Sequence, residues 1–133
     1  MNITLSLRHT RRITGTNDQG PYDFISIPAK TEDGKWAEVS LTPVEYAGIQ
    51  QGVGVLDKVE FPNAAVEPRK DGAKDRNGNV RMVATVDWAD AKVTKAPFPS
   101  KMPTLEELTR IAEERARAAA ARELGAPGEG DIQ

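Results

Sequence analysis

From Ile3 to Ile13 apolar and polar residues alternate, with Ile3, Leu5, Leu7, His9 and Ile13 on one side and Thr4, Ser6, Arg8, Thr10 and Arg12 on the other. That period of two predicts a long half-buried strand. The turn formers of 15–21 end it, and a second strand follows over 22–29, with Ile25 and Ile27 on one face and Tyr22 and Phe24 on the other. Glu32-Asp33-Gly34 marks a hairpin, after which Trp36 to Leu41 alternates again with Ala37, Val39 and Leu41 inward. Thr42, Pro43 and Glu45 have the spacing of a capping box with proline at the first helical position, so a short helix starts there. A fourth strand is predicted over 52–61, its two glycines marking a bulge or bend, and a fifth over 80–88 with Met82, Ala84, Val86 and Trp88 on one face.

Five strands with one short helix between the third and fourth is the element order of the OB fold, a small barrel whose face and hairpin loops bind oligonucleotides. SH3-like barrels and phage structural β-domains share that string of elements. The expected organisation is a mainly β, five-stranded OB-like barrel over 1–96 and a proline-rich linker over 97–103. A C-terminal helix over 104–124 opens on a second capping box, Thr104 with Glu107, and a disordered tail follows over 125–133 after the stop at Gly125.

Composition narrows the class. No apolar run approaches the roughly 20 residues that a bilayer span needs, and with no cysteine there are neither disulfides nor thiolate ligands, so a cytoplasmic protein is expected. Net charge is −2, which argues against holding nucleic acid by bulk charge. Residues 1–100 hold 13 basic and 13 acidic side chains, whereas 101–133 hold 5 and 7, so the acidic excess is C-terminal and the body can still carry a basic face.

Two groups of residues carry candidate chemistry. The first is the loop from Glu67 to Arg81, where Arg69, Lys70, Lys74, Arg76 and Arg81 stand against Glu67, Asp71 and Asp75. Lysines and arginines in such a loop displace counterions from a phosphate backbone, although any solvated hairpin tip has a similar composition. The second is the polar face of the first three strands, which on this reading presents Arg8, Arg12, Tyr22, Phe24 and Trp36 together. Aromatic faces stack on unpaired bases and guanidinium groups pair with phosphates, so the set meets the needs of single-strand binding. Covering a barrel mouth or forming a dimer contact would use the same residues.

Other chemistries lack residues. His9 is the only histidine and falls on the apolar face, as a hydrogen-bonded core residue would. Neither a metal site nor a cofactor is expected, since the carboxylates are scattered over turns and edges. Phosphate-binding, nucleophile and dinucleotide motifs are absent from the sequence, so neither an enzyme nor a small-molecule substrate is expected.

With these residues in view, the chain resembles the small OB-fold single-stranded DNA-binding proteins of bacteriophages and plasmids. The resemblance rests on the N-terminal strand with Arg8 and Arg12, outward Tyr22, Phe24 and Trp36, the basic hairpin loop and an acidic C-terminal tail. It implies sequence-independent single-stranded DNA binding in the replication or recombination of a mobile element. It also implies a tail that recruits partners, here through Glu129, Asp131 and Ile132. The other class of function is a phage structural or protein-interaction β-barrel, a virion component or inhibitor that binds no nucleic acid. In that class the C-terminal helix would self-associate or dock on a partner, and the exposed aromatics would be interface anchors.

Overall fold

A computed structural model describes the backbone of residues 1–131 and the side-chain surroundings of residues 1–122. The fold is mainly β, a curled, barrel-like sheet of eight strands with two helices. In chain order the strands are β1 (Ile3–Leu5), β2 (Arg11–Asn17), β3 (Gly20–Thr31), β4 (Trp36–Leu41), β5 (Lys58–Phe61), β6 (Ala65–Pro68), β7 (Met82–Thr85) and β8 (Lys92–Thr94). Helix α1 (Pro43–Gln50) lies between β4 and β5, and α2 (Leu105–Asp131) closes the chain.

The spatial order is β6-β7-β4-β3-β1-β5-β8, with β2 pairing the first half of β3. All pairings are antiparallel except β4 with β7, which meet in parallel at Glu38 and Val83. β5 and β6 are consecutive in the chain yet lie towards opposite ends of this order, β5 on β1 and β6 on β7. The run 58–68 therefore curls the sheet round on itself. Its inner face holds Ile3, Leu5, Ile25, Ile27, Val39, Leu41, Val59 and Phe61, all buried, and Trp88 packs edge-on against Phe61 at 4.9 Å. Ile25, Ile27, Ala37, Val39 and Leu41 point where the alternation places them.

The predicted first strand is interrupted. Residues Leu7–His9 form a 3-10 turn whose carbonyl at Leu7 accepts both the amide and the hydroxyl of Thr10, the latter at 2.8 Å. A turn with three residues per revolution resets the period-two count, so odd-numbered residues face inward in β1 and outward in β2. His9 is consequently exposed, its Nδ1 2.7 Å from the Ser6 hydroxyl, and is no core residue.

The predicted fourth strand is shortened for a different reason. The Asp57 carboxylate accepts from the Ala96 amide at 2.9 Å, the Lys95 ammonium at 2.9 Å and the Gly54 amide at 2.9 Å, which turns 54–57 back on itself and ties it to the segment after β8. Gly54 sits so close to Ser100 that a Cβ would lie 2.6 Å from its carbonyl oxygen, so only glycine fits. These bonds, the Ala96 amide foremost, hold the Asp57 carboxyl at about 2. A depressed folded-state value contributes stability that is present above the unfolded value near 4 and lost as pH falls towards 2. Asp57→Asn is therefore expected to be less stable at neutral pH and to unfold with a flatter dependence between about pH 4 and 2. Parallel acid limbs for the two proteins in chemical denaturation would refute this.

The proline-rich run 97–103 is packed rather than free. Met102 is buried, its carbonyl accepts from Gln50 Nε2 at 3.3 Å, and the Pro103 carbonyl accepts from the Tyr46 hydroxyl at 2.7 Å. Both capping boxes form: Thr42 and Glu45 exchange bonds at the start of α1, as do Thr104 and Glu107 at the start of α2. Leu108 is buried in the core, and α2 lies against β2, where Thr109 accepts from Arg12 at 3.1 Å. The end of α2 lies past Gly125, where a stop was predicted, and the expected tail over 125–133 falls outside the residues whose side-chain surroundings are described.

Candidate nucleic-acid interface

The outer face of the sheet is set by register. In β3 the even residues Tyr22, Phe24, Ser26, Pro28 and Lys30 turn away from Ile25 and Ile27. Directly opposed residues share a face, so Trp36 (opposite Lys30), Glu38 (opposite Pro28) and Arg11 (opposite Ser26) join them. Trp36, the first residue of β4, is 55% exposed.

Above this face arches the loop between β6 and β7, and it is built, not slack. The Arg69 amide donates to Arg81, the Arg81 amide to Ala73 and the Asp75 amide to Asn79, while Lys74 and Val80 bridge as an antiparallel pair. Asp71 accepts from the Ala73 amide, and Asp75 accepts from the amides of Asn77 and Asn79. Gly72 and Gly78, at φ +69° and +82°, supply the left-handed positions these turns need. The acids of the loop are thus turn formers, with Asp71 also paired to Arg69 at 2.9 Å.

Between loop and sheet lies a cavity of about 170 Å³ lined by Arg11, Ser26, Trp36, Glu38, Arg69 and Arg81 among others. An adjoining hollow brings His9 and Arg115 of α2 to the same indole. Four arginines, from β2, the two ends of the β6–β7 loop and α2, therefore line hollows that share Trp36. Among the described residues Arg11 makes no ion pair, which leaves its charge available. The Arg81 Nε donates only to the Lys74 carbonyl, at 3.4 Å.

The residues singled out from the sequence separate into four sets. Trp36, Arg69 and Arg81 meet at the cavity. Tyr22 and Phe24 share its face but lie at the far end of β3, with Phe24 six residues from Lys30, or about 20 Å. The centroids of their rings are 6.2 Å apart, and the hydroxyl end of Tyr22 lies across Gly15, in the space a Cβ there would take. Lys70, Lys74 and Arg76 are exposed on the loop and do not line the cavity.

Arg12 and Arg8 do not join the aromatics. Arg12 is paired opposite Ile25, hence on the inner side, where it donates to Asp23 at 3.0 and 2.7 Å and to Thr109. The hydrogen bond from Arg12 holds the Asp23 carboxyl below the ordinary carboxylate range. Arg8 is exposed in the 3-10 turn. The parity reset in that turn puts Arg11 on the aromatic face in place of Arg12. Period-two counting misses Arg11 for that reason. The only local signal is Thr10, a residue whose side chain closes short turns on a preceding carbonyl.

No carboxylate or histidine grouping that could hold a metal ion is present among the described residues, and no described helix is long and apolar enough to cross a membrane. Neither a protein-family pattern, a characterised protein nor a solved structure matches the chain.

Proposed function

We propose that this protein binds single-stranded DNA without strict sequence dependence, through an OB-type barrel, in the replication or recombination of a mobile element. The observation that carries the reading is Trp36, exposed on the sheet face beside hollows lined by Arg11, Arg69, Arg81 and Arg115. A base stacked on an indole contributes about 1 to 3 kcal/mol whatever its identity, and the surrounding guanidinium groups meet the flanking phosphates. The fold assignment is supported by the helix between β4 and β5 and by the parallel pairing of β4 with β7, which leave the long β6–β7 loop over the aromatic face of the curled sheet.

The test is a fluorescence titration with oligo-dT at several salt concentrations, using Trp36→Phe to separate the Trp36 signal from that of Trp88. Quenching of Trp36, with affinity falling as salt rises, is expected. Unchanged emission and unchanged gel mobility at low salt would exclude the function.

A protein-interaction module is the second reading, and one observation favours it. Every residue of α2 from 111 to 122 is exposed, so beyond the approach of Arg115 to the hollow beside Trp36 this stretch buries no side chain within the chain. Elution as a defined multimer, together with no response to single strands, would select that reading.

A further inference from the structure

The floor of the cavity beside Trp36 holds a polar atom without a partner. Ser26 is 1% exposed, and its hydroxyl makes no hydrogen bond, although a buried hydroxyl without one carries an unrecovered desolvation cost. The register of β3 turns it to the outer face, towards Arg11 and the loop. Glu38, on the same floor, has a single weak partner, the Ser40 hydroxyl at 3.3 Å. A stacking surface alone needs none of this. An unpaired hydroxyl, a carboxylate with spare acceptor capacity and an unpaired arginine around one recess are what reading the edge of a base requires.

We infer that this recess takes one guanine base of a bound single strand and so gives the protein a local base preference. The inference rests on the single-strand reading above and deepens it. Guanine presents two adjacent acceptors, O6 and N7, and on another edge, alone among the DNA bases, two adjacent donors, N1–H and the 2-amino group. The acceptors match the fork of an arginine, here Arg11 or Arg81, and the donors match the two oxygens of Glu38. Cytosine and adenine each offer one amino donor group and would satisfy the carboxylate through one oxygen only. The Ser26 hydroxyl then completes the base edge nearest the sheet. Size permits this: a closed cavity of about 150 Å³ admits a benzene ring, and this one of about 170 Å³ opens to solvent on one side, so a flat heterocycle enters edge first.

The experiment compares short oligo-dT with the same strand carrying one central dG, dA or dC, read by Trp36 quenching and by competition. One well-formed bidentate contact discriminates by about 1 to 3 kcal/mol, so the dG strand is expected to bind roughly tenfold or more tighter than oligo-dT. In Glu38→Gln the ratio of the two affinities is expected to fall close to one, and in Ser26→Ala to fall part of the way, with folding checked by thermal melting. Oligo-dT binding with a ratio of one in the parent would overturn the inference and leave the single-strand function standing. A preference for dA or dC, or a dG preference unchanged in both variants, would also overturn it. Free dGMP competing as tightly as the dG strand would assign the recess to a mononucleotide and overturn its role in strand binding. No binding of any strand would remove both proposals together.

Discussion

Replacing Arg11, Arg69 and Arg81 together with alanine is expected to lower the slope of log affinity against log salt by about 2, because each phosphate contact on a single strand contributes roughly 0.7. These three side chains border one cavity and come from β2 and the two ends of the β6–β7 loop, so on the proposed function an oligo-dT strand lying there, which offers no guanine, would bring phosphates to all three. Trp36→Ala is expected to behave differently: affinity falls by about 1 to 3 kcal/mol while the slope holds, since stacking releases no counterions. Arg12→Ala is the internal control. Its guanidinium is engaged by Asp23 and Thr109 on the other side of the sheet, so its loss acts on stability and leaves the slope alone. Salt titrations of the four proteins would decide the matter, and a triple variant with the parental slope would show that the arginines around Trp36 meet no phosphate.

The largest effect on stability is expected at Tyr46. It is fully buried at the junction of α1, the 97–103 run and α2, and it is the bulkiest fully buried side chain among the described residues. Tyr46→Ala leaves a cavity there and is expected to cost about 3 to 5 kcal/mol, as large aromatic truncations do. Tyr46→Phe keeps the ring and removes only the bond to the Pro103 carbonyl, for about 1 kcal/mol. The pair of variants separates packing from hydrogen bonding. Burial, helped by the nearby Glu107 charge, pushes the Tyr46 hydroxyl up to about 12. A raised folded-state value means that the folded protein keeps its proton while the unfolded chain loses it near pH 10. The associated stability is present below pH 10 and lost as pH rises towards 12. Urea unfolding across that range should show an alkaline limb in the parent that Tyr46→Phe lacks, and its persistence in the variant would place the titrating group elsewhere.

Much of the inner face was legible in the chain because a strand with one wet side must alternate. Ile25, Ile27, Val39 and Leu41 are buried where the count of two places them. Both capping boxes were legible too, since Thr42 with Glu45 and Thr104 with Glu107 satisfy helix-end amides from within four residues of sequence. The loop at 69–81 announced itself by its arginines, lysines and glycines.

What alternation could not carry was anything that broke its count or joined distant segments. The 3-10 turn at Leu7–His9 shifts the parity by one, sending Arg12 to Asp23 and Arg11 to the aromatic face, and no periodicity within β1 or β2 records the slip. The two short strands β5 and β6 form where the sequence reads as one strand and the start of a loop, because each is defined by a different partner, β1 for one and β7 for the other. The parallel meeting of β4 with β7 joins residues more than forty positions apart, Glu38 and Val83. Such pairing depends on the closure of the whole sheet rather than on any local preference. The site follows the same division. Alternation and composition alone place Trp36 on a wet strand face and foretell a basic loop. That the loop folds over that face, that Arg11 and Arg115 line hollows beside Trp36, and that Ser26 lies unpaired in the recess follow from packing, because each is a meeting between segments whose separation along the chain hides it.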